Sequence, residues 1–546
     1  MKDTEVEIAP LVDPGFAPWP PAFADRYRQR GYWRGERLGD LLRPWAEMDG
    51  ERIALVAGEQ RLSYRALDRR ADRLAAGLVG LGVRRGERVL VQLPNVPDFV
   101  TLAIALFRIG ALPVFALPSQ RKSEIAHLCE YAEPVAYVIP ARYQGFDYLP
   151  LAEEVRRGAP SLRHILVSGA PGPFLALDTV DAEPTPLPGP HPSDPAFLLL
   201  SGGTVGLPKL IPRTHDDYAF QIRATAEAIK AGEETVYLAA LPVAHNAALG
   251  CPGLLGTLKA GGRVVLASSP SSADVFPVIE SEGVTLTTLI TPLVMLWLEA
   301  AEMFGARFPS LVLELGGAIL DPNVGERVFD VLGARLTHWF GMAEGLLCFT
   351  RLDDPRNIVV HTQGRPLSPD DEIRIVDENE APVAPGAVGQ LLARGPTLLR
   401  GYYRAGQEHN RLAFTSDGFL RTGDLARVTS QGDLVVEGRI KNVINRGGEK
   451  ISVEELETNL LAHPAIRRVA VVGAPDPVMG ERTCVFVMPE KDQVTLADIR
   501  KYLDDRGLAP YKMPDQLHIV AALPETGIGK IDRRALVSLL AGSGAR

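Results

Sequence analysis

Short apolar runs alternate with helical repeats from residue 63 onward, and that alternation limits the fold more than any other feature. Ser63 is placed to cap a helix. Leu67, Ala71, Leu74, Leu78 and Leu81 then recur at helical spacing, with Asp and Arg on the opposite face, and Gly82 is a natural stop. A strand is expected from Arg88 to Leu93, an apolar helix from Phe99 to Ile109 and another apolar run around Val114. Strands and helices taking turns imply crossover connections, so the expectation is α/β architecture with parallel strands. Residues 183–195 (EPTPLPGPHPSDP) are too rich in proline for helix or central strand and read as a surface loop. Beyond it, strands are expected at Phe197 to Leu200, Val264 to Ala267, Thr285 to Ile290 and Leu311 to Leu315.

From residue 385 the character changes. Gly386, Gly389, Gly395, Gly401, Gly418, Gly423, Gly432 and Gly438 punctuate short β-like runs, a turn-rich pattern unlike doubly wound sheet. After Gly438 comes a helix from Val453 to Leu461, strands at Val469 to Val472 and Cys484 to Met488, a helix capped by Thr495 and a strand near Ile519. That reads as a compact α+β unit of ordinary domain size. The chain's 546 residues are enough for several such units.

Composition removes several classes of function. A net charge of −9 leaves no basic excess for coating nucleic acid. Cys129, Cys251, Cys348 and Cys484 are far apart, so the short spacings of metal knuckles and redox pairs are missing. The opening MKDTEVEIAP has no apolar signal core. The longest uncharged apolar stretch, Val284 to Leu298, is shorter than the ~20 residues a spanning helix needs, and Pro292 interrupts it. The expectation is a soluble, cytoplasmic protein with no membrane segment.

The richest glycine cluster, Ser201-Gly202-Gly203-Thr204-Val205-Gly206-Leu207-Pro208-Lys209, directly follows an apolar strand. Glycines let backbone N–H groups surround phosphate oxygens; Ser201 and Thr204 add hydroxyls and Lys209 adds a charge. It lacks the Gly-Lys-Ser/Thr ending of a Walker loop, and alone it reads equally well as a surface loop. Other motifs follow in order: AHN (244–246), LGGA (315–318), FGMAEG (340–345), TQGRP (362–366), RTGDL (421–425), GRIKNVINRGGEKIS (438–452) and GIGKIDR (527–533), with LSYRAL (62–67) ahead of the loop. Together they resemble the adenylate-forming superfamily, and within it the stand-alone aryl-acid–AMP ligases that activate 2,3-dihydroxybenzoate or salicylate. The likeness runs from GYW (31–33) to GIGKIDRR (527–534).

The resemblance implies a large N-terminal domain of two doubly wound α/β subdomains plus a β-rich subdomain (1–438). A hinge (439–441) and a small mobile α+β C-terminal domain (442–546) would follow. It implies ATP and Mg2+ as cofactors, and a carboxylate attacking the α-phosphate with loss of pyrophosphate. Fixed positive charge and a metal suit the charge that develops there. Lys530 in Gly-Ile-Gly-Lys matches the catalytic lysine, and Glu344 the Mg2+-associated glutamate. Asp424 matches the ribose-binding carboxylate, and Arg439 an arginine near the nucleotide. Gly341, Met342 and Ala343 belong with Ser201, Gly202, Gly203, Thr204, Gly206 and Lys209 among the ATP-binding positions. Gly316, Gly317 and Ala318 would line the adenine and aryl faces. Lys441 falls at the hinge. Rotation there would carry Lys530 away and bring Gly447-Gly448-Glu449 towards the thiol tunnel.

For the acid pocket, the pair His245-Asn246 is the most telling; His245 stands with the catalytic positions, and Asn246 would bond a hydroxyl ortho to the carboxylate. Asn246 could instead cap a helix. A buried amide deprived of its partner costs about 1–3 kcal/mol, which predicts 2-hydroxy aryl acids over benzoate. Cys251 and Leu347 lean towards salicylate, although both also read as core residues. Several positions depart from the family pattern: Ala247 where an aromatic is usual, Trp339 where a small apolar residue is usual, and Cys348, Ile319 and Val205. Ala247 and Trp339 suggest bulk exchanged across the pocket, so a substituted or heteroaryl 2-hydroxy acid such as 3-hydroxypicolinate or a hydroxyanthranilate is a rival to salicylate. The chain ends soon after GIGK, so the expected acceptor is the phosphopantetheine thiol of a separate aryl carrier protein in siderophore or nonribosomal peptide assembly. The alternatives are an aryl-CoA ligase using free coenzyme A and a non-catalytic binding homologue.

Overall fold

The computed structural model describes residues 8–201, 209–317, 320–439, 443–490, 494–524 and 531–543. Among these residues, two large sheets carry the first part of the chain. In the seven-stranded sheet the order is Leu210–Thr214, Pro195–Leu200, Leu112–Phe115, Arg88–Val91, Ala136–Pro140, His164–Ser168, Leu175–Ala176. The nine-stranded sheet runs Arg365–Pro366, Gly345–Phe349, Arg335–Met342, Val312–Leu315, Leu286–Leu289, Val236–Ala239, Arg263–Leu266, Ile53–Ala57, Gln60–Ser63. Their central strands pair in parallel, as the alternation requires.

Period-two alternation puts neighbouring residues of each strand into different cores. Val264 and Leu55 of one sheet, and Val89, Val91 and Phe115 of the other, meet in the core that fills the space between the sheets. Val265, Leu238 and Leu313 face the opposite way, under the helices Ser272–Glu282 and Thr291–Phe304. Leu90, Val114 and Tyr137 do the same beneath Lys122–Ala132 and Tyr148–Gly158. The helix Tyr64–Gly80 begins where expected, with Ser63 Oγ accepting the Ala66 N–H at 3.2 Å. Leu67, Ala71, Leu74 and Leu78 are its buried face. Pro97–Ile109 is buried on every side because it lies in the shared core, and Gly110 ends it at φ +76°.

One connection differs from the expected strand-then-helix order. Pro195–Leu200 pairs antiparallel with Leu210–Thr214, so the glycine cluster joins two strands of a hairpin and the helix starts only at His215. The stretch Val284 to Leu298 divides into the buried strand Leu286–Leu289 and the helix Thr291–Phe304, with Pro292 in its first turn. No helix among the described residues is long and apolar enough to cross a membrane. All four cysteines are free and buried.

The glycine-punctuated region forms an antiparallel sheet of Glu372–Val376, Gly389–Arg394, Leu420–Val428 and Leu434–Arg439. A last sheet follows, with Val443–Arg446, Glu449–Ser452, Ile466–Asp476, Gly480–Pro489 and Gln516–Ile519. The helices Val453–Leu461 and Leu496–Asp505 pack on it. Ser452 Oγ caps the first of these, and a Thr495–Asp498 capping box starts the second.

This last unit is docked on the rest by polar contacts. Lys512 Nζ reaches Glu124 Oε1 at 2.9 Å and Glu455 Oε1 at 2.8 Å, all three groups buried. The Ser123 N–H donates to the Gly507 carbonyl at 3.2 Å, and Asn445 Nδ2 to the Gly317 carbonyl at 2.6 Å.

Candidate active site

A cavity of about 800 Å³ opens between the nine-stranded sheet, the β-rich sheet and the docked C-terminal unit. That is ample for a nucleotide and an aromatic ring together. His245, Asn246, Ala247 and Trp339 border it, as do Glu344 and Asp424.

His245 sits at the start of the short helix Asn246–Gly250, and its Nδ1 accepts the Ala247 N–H at 3.3 Å. Burial, helped by Lys450, pushes the imidazole down to about 4, so it is neutral. The helix is therefore capped by His245, and Asn246 is free of that task. Its Oδ1 accepts from Tyr218 Oη at 2.9 Å and from Gln221 Nε2 at 3.4 Å, and its Nδ2 points at Cys251 Sγ, 3.8 Å away. Only the amide nitrogen keeps donor capacity for a ligand. This reduces the expected discrimination: an acid without the ortho hydroxyl leaves one donor unsatisfied, not a whole amide.

Three expected pocket positions lie one layer back. Cys251 is fully buried behind Asn246, where burial holds its thiol well above the usual range. Leu347 is buried against Gly341, whose added Cβ would stand 2.3 Å from Leu347 Cδ2. Gly316 is covered by the indole of Trp339, with an added Cβ only 2.4 Å from its Cε2. The missing side chain at Gly316 thus makes room for Trp339 and not for a ligand ring. Trp339 stacks on Phe349 across the hairpin, centroids 5.8 Å apart. Ala247 presents only a methyl group at the cavity border.

At the other end, Met342, Ala343 and Glu344 form the turn between Arg335–Met342 and Gly345–Phe349. Gly345 takes φ +111°, and a Cβ there would lie 2.2 Å from the Thr397 carbonyl oxygen, so only glycine fits. Glu344 Oε1 accepts from Tyr402 Oη at 3.0 Å, and Lys209 Nζ lies 5.1 Å from the centre of the Tyr402 ring. Ser201 and Lys209 close the neck of the glycine loop, through Ser201 N–H to the Lys209 carbonyl (2.8 Å) and Lys209 N–H to Ser201 Oγ (3.0 Å). Asp424 is buried in Leu420–Val428, in register with Arg439 on the next strand, and its N–H donates to Thr422 Oγ1 at 3.0 Å. Gly317 borders the cavity.

Gly202, Gly203, Thr204, Val205, Gly206, Ala318, Ile319, Lys441 and Lys530 lie outside the described residues, as does the side chain of Arg439.

The sequence reading missed the framework that ties the two ends together. Arg213, fully buried, donates to Asp217 Oδ1 (2.9 Å), Gln221 Oε1 (2.9 Å) and the carbonyls of Ala343 (3.3 Å) and Thr397 (3.1 Å). One guanidinium thus fixes the Asn246 partners and the Glu344 turn at once. The Arg213–Asp217 spacing of four was the only trace of this in the sequence. Glu314 was also missed. It lies in the nine-stranded sheet, with Thr288 Oγ1 donating to its Oε2 at 2.8 Å, and burial raises its carboxyl to about 8. No group of three or more His, Cys, Asp or Glu stands together as a metal cage among the described residues.

With this geometry in place, comparison with known proteins defines the class. The family described as "AMP-binding enzyme" matches residues 42–403, and "AMP-binding enzyme C-terminal domain" matches 455–530. The chain belongs to the AMP-binding enzyme family, on its aryl-acid–AMP ligase branch. It is 53% identical to the 2,3-dihydroxybenzoate-AMP ligase of Bacillus subtilis, over 96% of this chain and 97% of that one. It is 46% identical to the salicyl-AMP ligase / salicyl-S-ArCP synthetase of Mycobacterium tuberculosis, over 96% and 94%. The apo structure of MbtA from Mycobacterium smegmatis superposes with a TM-score of 0.75 at 44% identity, covering 96% of this chain and 98% of that one.

Proposed function

We propose that this enzyme joins a 2-hydroxy aryl carboxylic acid to ATP, releases pyrophosphate, and passes the acyl group from the adenylate to the phosphopantetheine thiol of a separate aryl carrier protein. The observation that carries this reading is the single cavity with Asn246, Ala247 and Trp339 at one end and Glu344 and Asp424 at the other. The naming of its relatives as 2,3-dihydroxybenzoate and salicyl ligases supports the aryl acid, and the salicyl-S-ArCP relative supports the carrier. The same reading divides the chain into an adenylation domain (1–438), a hinge (439–441) and a lid (442–546).

In this scheme the acid carboxylate attacks the α-phosphorus, a P–O bond forms, and pyrophosphate departs with the electrons of the broken bond. Ser201, Lys209 and the loop between them hold phosphate, Asp424 accepts from the ribose hydroxyls, and Lys530 meets the carboxylate and α-phosphate. The donor set fits Mg2+: one hard carboxylate, Glu344, oriented by Tyr402 and bordering the cavity, leaves the remaining positions to phosphate and water. The metal would supply charge neutralisation on the phosphates. Neutral His245 shapes the acid end and holds the helix that presents Asn246.

The test is acid-dependent ATP–pyrophosphate exchange with salicylate, 2,3-dihydroxybenzoate, 3-hydroxypicolinate, 3-hydroxyanthranilate and benzoate side by side. Exchange with the 2-hydroxy acids above benzoate is expected. Equal exchange with benzoate would remove Asn246 from specificity, and none with any acid would remove the aryl-acid assignment. Adding a phosphopantetheinylated aryl carrier protein or coenzyme A to the winning adenylate then identifies the acceptor.

A further inference from the structure

The cavity is lined by many carboxylates, and nearly all have work to do. Asp321 caps the helix that begins at Pro322. Glu344 is held by Tyr402, and Glu455 by Lys512. Glu437 is paired to Arg427, Asp476 accepts from the N–H groups of Val478 and Met479, and Glu481 accepts from the Asn445 N–H. Asp424 belongs to the ribose. Glu449 is different: it borders the cavity with no hydrogen bond to its carboxylate and no ion pair among the described residues.

Its position is set by the two residues before it. Gly447 and Gly448 take φ +59° and +88°, and at Gly448 an added Cβ would stand 3.1 Å from Ile290 Cγ2. Across from it, the Cβ position of Gly317 lies 3.8 Å from Gly448 Cα. The Asn445 bond to the Gly317 carbonyl pins the same hairpin. Backbone without side chains is thus pressed against Gly317, the residue after the Trp339-covered Gly316, and the next residue is a carboxylate.

Resting on the reading that a thiol accepts the acyl group, we propose that Glu449 is the general base that takes the thiol proton in the second half-reaction. The S–H proton passes to the Glu449 carboxylate. The sulfur pair attacks the acyl carbon, the C–S bond forms, and the bond from acyl carbon to phosphate oxygen breaks. AMP leaves with that electron pair, and Glu449 returns the proton to water. No further reactant is needed.

The surroundings give the carboxylate a useful basicity. Burial raises it to about 7, and Lys512 opposes that rise. Lys512 and Tyr511 act on it from the turn Pro510–Lys512; behind them Glu455 of Val453–Leu461 and Glu124 of Lys122–Ala132 hold Lys512, and Glu455, Lys450 and His245 border the same cavity. A base near ambient pH suits proton transfer better than His245, whose lowered value makes it a weak acceptor.

The experiment separates the half-reactions in Glu449→Gln. The adenylate is preformed from the acid that wins the exchange assay. Transfer is then followed to coenzyme A, N-acetylcysteamine and the more acidic trifluoroethanethiol across pH. Wild type should show a rise centred near 7. The variant should lose that rise and slow with the first two thiols by about a hundredfold. Its deficit should shrink with trifluoroethanethiol, which needs less help to ionise. Equal slowing with all three thiols, a retained pH rise, or pyrophosphate exchange that falls in parallel with transfer would each overturn the proposal. Wild type that exchanges pyrophosphate but transfers to no thiol would instead overturn the thiol reading, and this assignment with it.

Discussion

Lys512 and Glu124, 388 residues apart, meet at 2.9 Å with 3% and 0% of their side chains exposed. Burial alone would lower the Lys512 value; Glu124 and Glu455 outweigh it and hold the amine charged. The pair fastens the C-terminal unit in the arrangement that presses Gly448 against Gly317 and Ile290. Breaking a buried pair by removing one partner strands the other, at about 3–5 kcal/mol. Lys512→Met should therefore lower stability by that order in urea titration. The double variant Lys512→Met with Glu124→Gln should recover part of it, because two charges leave together. Strict additivity of the two single changes would deny the coupling.

Trp339 and Ala247 both border the cavity beside Asn246, one bulky and one small, and each can be tested. Ala247→Tyr adds an aromatic ring at the cavity border and should narrow the pocket. Relative to salicylate, kcat/KM for a two-ring 2-hydroxy acid should fall by roughly 10- to 200-fold, the range a hydrophobic pocket commands. Trp339→Val should uncover Gly316 and move preference the other way, with some loss of stability from the space left behind. Pyrophosphate exchange with both acids gives the ratio directly. An unchanged ratio in both variants would show that neither residue sets ring size.

Glu314 makes a prediction about pH. Its carboxyl is raised from 4.5 to about 8 by burial, with the Thr288 hydroxyl opposing. Below 4.5 it is protonated in both folded and unfolded chains, so it costs nothing. As pH climbs from 4.5 to 8 the unfolded chain releases the proton and the folded one keeps it. Stability is lost over that window at up to about 1.4 kcal/mol per pH unit, then levels off. Glu314→Gln should remove this slope and be the more stable protein at alkaline pH. Urea midpoints that stay parallel for the two proteins from acid to alkali would refute it.

Much of the fold was legible because it follows from period and caps. The helix after Ser63, the helix Val453–Leu461 and the Thr495 start all appear where side-chain spacing and hydroxyl placement put them. The hairpin at the glycine cluster was not, since a short apolar run looks the same whether a helix or an antiparallel strand follows. In the site, motif order located Asn246, Glu344 and Asp424 beside one cavity. It did not reveal what holds them. Tyr218 and Gln221 reach Asn246 from a helix 25 or more residues earlier, and Arg213 reaches Ala343 across 130. Such contacts leave no periodicity, and glycine's role at Gly316 became clear only once the Trp339 ring was seen to occupy its space.

Tyr402 offers a clean separation of two contacts. Its hydroxyl donates to Glu344 Oε1 at 3.0 Å, while its ring faces Lys209 Nζ at 5.1 Å. Tyr402→Phe keeps the ring and removes only the hydroxyl. Glu344 then loses the bond that aims it into the cavity, and Lys209 keeps the ring it faces. A hydrogen bond to a charged group is worth about 1.5–3 kcal/mol, or roughly 10- to 150-fold in an equilibrium. If Glu344 serves Mg2+, that loss should appear as a higher Mg2+ concentration for half-maximal pyrophosphate exchange, with the KM of the aryl acid little changed. Tyr402→Leu should add a weaker grip on ATP, because the ring is gone as well. Were Tyr402→Phe to alter the acid KM and leave the Mg2+ dependence untouched, Glu344 would have to be reassigned from the metal to the acid.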